Sequence, residues 1–186
     1  MLLKPEPREQ MSKDRGTEIS PRGRSYSSLQ KASHWGLGLL CVLEFPTAAG
    51  IQRAHLGHAF GIKASAWDSF MAVGHEWGGW LILILALLLL FGRLLHGAPR
   101  LPPGMRLWQR ALAYAAHAAI YFGLLALVAS GAVAMYLSGR FAFLHIALAK
   151  AGVGLISLHL VAVFWHQTVR RDDLLERLMP ARRQAS

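Results

Sequence analysis

The sequence predicts an all-α integral membrane protein, a bundle of four transmembrane helices with both termini in the cytoplasm. Three observations carry this reading. Of the 186 residues, 54% are hydrophobic. The formal net charge of +10 is concentrated outside long uncharged runs. Lys and Arg are shared unevenly among the segments that join those runs.

Residues 1–25 contain Pro5, Pro21 and alternating Arg, Lys, Glu and Asp without an apolar core. They are expected to form a basic, mobile cytoplasmic tail and not a cleaved signal peptide. A membrane domain is expected over residues 26–180, with helices at approximately 28–51, 71–95, 108–137 and 143–169. In the first, "HWGLGLLCVLEFPTAAGI" (His34 to Ile51) contains Glu44 and Pro46. Its apolar length suits a span, and a membrane helix tolerates proline where neighbours re-satisfy the backbone; a re-entrant or interfacial helix is the alternative.

The second span is built on "WLILILALLLLFG" from Trp80, extended back to about Met71. A bilayer core about 30 Å thick needs roughly 20 such residues. "APRLPPG" (Ala98 to Gly104) is the turn signal that follows. The third span is "RALAYAAHAAIYFGLLALVASGAVAMYL" (Arg110 to Leu137), and the fourth runs from Phe143 to about Val169. These two are interrupted only by histidines and Lys150.

Seven Lys and Arg lie in the leading segment, four between the second and third spans, and five after the fourth, against four in the other two connections. The cytoplasmic side takes the basic majority, which places both termini there, implies an even number of crossings, and accounts for the basic surplus without nucleic acid. Cys41 is the only cysteine, which excludes an internal disulfide and a CxxCH-type covalent haem.

Five of the nine histidines, His34, His75, His117, His145 and His159, fall inside or at the ends of the four apolar segments. Polar side chains in lipid are costly unless turned inward and satisfied. On the fourth helix the step from His145 to His159 turns about 1400°, four turns less about 40°, and advances about 21 Å. The two imidazoles therefore point the same way from opposite halves of the membrane.

Topology places His34 near the inner end of helix one and His75 near the outer end of helix two. Two facing pairs result, His34 with His159 and His75 with His145. Paired histidines from two helices supply both axial ligands of a b-type haem, so two pairs imply two haem b groups working by one-electron transfer. Zinc prefers three or four ligands converging on one point, whereas these histidines separate into two depths with only Glu44, Glu76 and Cys41 to assist. Simple interhelical hydrogen bonding is the remaining alternative.

His166 follows His159 by seven residues on nearly the same face and is a second candidate inner ligand, at the level of the headgroups. His117, Tyr121 and Glu44 are candidates to support the ligands or to line a quinone pocket, with interhelical hydrogen bonding an equal account. His55, His58 and His96 are expected in loops or at ends, in solvent. Arg24, Lys31, Arg106, Arg170 and Arg171 are candidates to neutralise haem propionates, or serve only to set topology.

Several motifs resemble the bacterial cytochrome b561 family of small four-helix dihaem inner-membrane proteins. These are "YSSLQKASHW" (Tyr26 to Trp35), "LEF" (Leu43 to Phe45), "HEWGG" with His75 and Gly79, "HAAIY" with His117 and Tyr121, and "LHIALAKAGVGLISLHLVAVFWHQTVRRDDLLERLMP" with His145, Gly152, His159 and His166. The resemblance covers roughly residues 26–180. It implies His34 and His159 on a cytoplasmic-side haem and His75 and His145 on a periplasmic-side one, with Gly79 allowing close approach to a porphyrin face.

It also implies electron exchange with quinone and admits oxidation of superoxide. A membrane-anchor cytochrome subunit for a periplasmic oxidoreductase is the alternative. The chain departs from the family pattern in the short loop "SGRFAF", in Ile146 where glutamate is common, and in Gln167 where a second histidine often stands. The loop lies where an electron donor would approach.

Overall fold

The computed structural model describes residues 26–97, 104–171 and 175–179; the leading segment 1–25, and Arg24 with it, lies outside them. Four long helices follow one another. They are α1 (Ser28–Ala59), α2 (Ala66–His96), α3 (Leu107–Ala132) and α4 (Ala142–Trp165). Single π-helical turns, Val133–Leu137 and His166–Arg170, extend α3 and α4, and among the described residues there is no β-strand. All four helices are long and apolar enough to cross a membrane.

Helices α1, α2 and α3 begin where the sequence satisfies the free N–H groups of a first turn. Ser27 and Gln30 form a reciprocal capping box before α1, with Gln30 N–H donating to Ser27 Oγ at 3.2 Å and Ser27 N–H to Gln30 Oε1 at 3.0 Å. Ser65 caps α2 by accepting from Asp68 N–H at 3.0 Å. The Asp68 carboxylate in turn accepts from Arg53 Nε at 2.7 Å, which ties the end of α1 to the start of α2. Gln109 reaches back to Arg106 N–H at 2.9 Å before α3.

Helix α1 continues to Ala59, well beyond the expected end near Ile51, and α2 starts at Ala66, before the expected Met71. Hydropathy finds the stretch that suits hydrocarbon, not the end of the helix. Residues 52–59 are too polar to extend the apolar run but contain no helix stop. The stop comes at Gly61, whose φ of 69° is one that glycine adopts without strain. His55 consequently lies on α1, exposed, and not in a loop; the side chains of His58 and His96 lie outside the described residues.

Pro46 sits within α1. Next to it, the Thr47 hydroxyl lies within donating distance of the Glu44 carbonyl at 2.9 Å and of the Leu43 carbonyl at 3.2 Å, so a side chain shares in the backbone hydrogen bonding around the proline.

The close-packed centre joins α1, α2 and α3. Leu37, Ile82, Ala86, Leu89 and Leu124 are buried, with Leu40, Cys41, Ile120 and Tyr121 packed around them. Glycine allows α1 and α2 to approach, because a Cβ on Gly50 would overlap Met71 Cβ. Helix α4 packs chiefly on α3 and buries none of its residues. Leu81, Phe91, Leu160 and Phe164 are among the many large apolar side chains facing outward, where lipid replaces water as the solvent.

Both ends of the described chain meet at one end of the bundle. Trp35 Nε1 donates to Leu178 O at 3.1 Å, and Lys31 Nζ to Met179 O at 2.9 Å.

Candidate functional site

Five histidines from the four helices come together in two groups. At the end where the termini meet, the rings of His34 on α1 and His159 on α4 have centroids 6.5 Å apart and planes at 67°. His117 on α3 approaches His159 from another side at 5.3 Å. Toward the opposite end, His75 on α2 and His145 on α4 stand 6.1 Å apart with planes at 88°.

Two imidazoles sharing one metal, with metal–nitrogen bonds of about 2.0–2.1 Å, have ring centres about 6 Å apart. Both pairs match that span. Among the described residues no three His, Cys, Asp or Glu side chains converge on one point. Two opposed imidazoles at each level are a donor set that an iron already held by four porphyrin nitrogens can take, with His117 as a third ring beside His159.

Hydrogen bonding selects the nitrogen that faces a metal. His145 Nδ1 lies 2.9 Å from Leu127 O and 3.3 Å from Ser130 Oγ. A carbonyl only accepts, so Nδ1 carries the proton and the lone pair stays on Nε2, the ligating tautomer. His75 Nδ1 pairs with the Glu44 carboxylate and lies 3.2 Å from Thr47 Oγ1, leaving Nε2 in the same state. His117 Nδ1 faces Ala113 O at 2.7 Å.

Small residues make room for these side chains. A Cβ on Gly131 would come within 2.9 Å of His145 Cε1, and one on Gly78 would overlap the Glu44 carboxylate. Gly79, one turn from His75, and Gly152, midway between His145 and His159, would have Cβ atoms that meet nothing within 4 Å. Clearance at these glycines suits the close approach of a flat ring.

Tyr121 and His117 also line a cavity of about 370 Å³ between α2 and α3, with Arg93, Tyr114, Leu90 and Phe122. The Arg93 guanidinium lies 5.7 Å from the Tyr114 ring centre. His117 thus has one side on the cavity and the other on His159. His166, half-buried, opens the π-helical turn below α4.

Sequence reasoning did not find Leu127, Ser130, Gly131, Thr47, Gly78, Arg93 or Tyr114. A register argument finds one of them: Gly131 and His145 lie seven residues either side of Ser138 at the α3–α4 turn, hence at one level.

A membrane-spanning four-helix bundle with opposed imidazoles facing inward at two depths is the architecture of a membrane cytochrome b. The profile of the prokaryotic cytochrome b561 family matches residues 25–181, and the chain belongs to that family. It is a multi-pass bacterial membrane protein that binds haem b and transfers electrons. No protein of curated description matches the chain.

Proposed function

We propose that the chain binds two haem b groups and carries single electrons across the cytoplasmic membrane, exchanging them with quinone. His34 and His159 are the axial ligands at the cytoplasmic side, and His75 and His145 those at the outer side. Both chain ends lie in the cytoplasm, as the distribution of Lys and Arg supports.

The observation that carries this reading is the pair of imidazole separations, 6.5 and 6.1 Å, set on α4 by ligands fourteen residues apart. Haem b held there supplies one-electron oxidation and reduction of iron. With a histidine on each side of it, the iron would have no place for small ligands such as oxygen. Leu127 O and Glu44 hold the ligand rings in orientation through Nδ1. The His145 to His159 rise separates the two levels by about 21 Å.

The cavity between α2 and α3 supports quinone as the exchanging molecule. It is mostly apolar, as a lipid-soluble ring requires, with Arg93, Tyr114, His117 and Tyr121 as polar groups for carbonyl oxygens. Its His117 wall abuts His159, which brings a bound quinone beside the inner ligand.

Haem content and the reduced-minus-oxidised spectrum of the purified protein test the assignment. About two haems per chain are expected, and His159→Ala and His145→Ala each remove one. Retention of both haems in both variants rejects the pairing.

A further inference from the structure

The two histidine pairs differ in what stands behind them. At the outer pair the Glu44 carboxylate accepts from His75 Nδ1. Thr47 Oγ1 adjoins this pair, 3.3 Å from Glu44 Oε2 and 3.2 Å from His75 Nδ1. Gly78 on the facing helix leaves the space that the carboxylate fills. At the inner pair, His34 and His159 have other rings as neighbours: Trp35 at 6.2 Å from His34 and His117 at 5.3 Å from His159. Among the described residues neither of these two histidines is paired with a carboxylate.

We infer that Glu44 is a positioning residue that holds the outer haem's potential below that of the inner haem, so that an electron shared by the two rests on the inner side. The inference rests on the ligand assignment proposed above. A carboxylate that accepts the Nδ1–H of an axial imidazole raises the donor strength of Nε2. A stronger axial donor and a nearby negative charge both favour ferric over ferrous iron, which lowers the reduction potential. Among the described residues no carboxylate stands behind the inner pair. One electron leaving outer ferrous iron therefore reduces inner ferric iron, with no bond made or broken, and the gradient runs from outside to inside.

A potentiometric titration of the full-length holoprotein, followed by its visible spectrum, tests this. Two one-electron transitions are expected, and the transition lost in His145→Ala is the more negative. In Glu44→Gln that transition moves to positive potential, raising the reduced-to-oxidised ratio at its former midpoint about tenfold, equivalent to about 59 mV. The inner transition stays in place. Glu44→Asp, which keeps the charge, stays closer to wild type, and Gly78→Ala, which displaces the carboxylate without removing it, shifts as Glu44→Gln does.

The inference is overturned if the wild-type outer transition is the more positive of the two, or if Glu44→Gln retains both haems with no shift. Should Glu44→Gln fail to load the outer haem, the order of the wild-type transitions decides by itself. Retention of both haems in His145→Ala defeats the ligand assignment, and this inference falls with it.

Discussion

The indole N–H of Trp35 donates to the carbonyl of Leu178 at 3.1 Å, across 143 positions of sequence. Trp35 adjoins His34 in the chain, so the last described residues are fastened next to the inner histidine pair. Trp35→Phe keeps the ring and removes one hydrogen bond, worth about 1 kcal/mol. Limited proteolysis of the segment after α4 is expected to accelerate about fivefold, while haem content stays at the wild-type value.

Gly131 makes room for the His145 ring. A methyl group there, placed within 2.9 Å of Cε1, displaces the imidazole from Leu127 O or forces α3 and α4 apart. Overpacking of this kind costs about 1–3 kcal/mol. Gly131→Ala is expected to lower occupancy of the outer haem and leave the inner one filled, read as haem per chain and as the fraction of the reduced spectrum retained.

His117 touches His159 and lines the α2–α3 cavity. His117→Ala is expected to retain two haems but to slow reduction of a short-chain quinone about 10- to 100-fold, the usual effect of losing a partner behind a ligand. Loss of the inner haem in this variant would instead assign His117 to ligation.

Gly50 lies where α1 and α2 come closest, and a Cβ there overlaps Met71 Cβ. Gly50→Ala is expected to destabilise the fold by about 1–3 kcal/mol. The loss is read as a lower Tm in detergent, with both haem signals falling together because the shared scaffold is affected.

The parts of this molecule that depend on periodicity were legible in the chain itself. Hydropathy located four spans, and a rise of about 1.5 Å per residue with successive spans taken as antiparallel brought His34 opposite His159 and His75 opposite His145, whose ring centres stand 6.5 and 6.1 Å apart. The parts that depend on a partner's backbone were not. Leu127 meets His145 through a carbonyl that every residue possesses, so no residue type marks it. Glu44 stood out as an acid in an apolar run, yet its pairing with His75 required knowing how far α1 extends, and that boundary lay in the polar stretch 52–59, where hydropathy is silent.

His145 and His159 ride on a single helix that runs without proline from Ala142 to Trp165. That rod acts as a ruler. A thicker or thinner bilayer can lean it, but neither can stretch its pitch, so the spacing of the two imidazole levels along α4 is written into fourteen peptide units and is the same whatever lipid surrounds them.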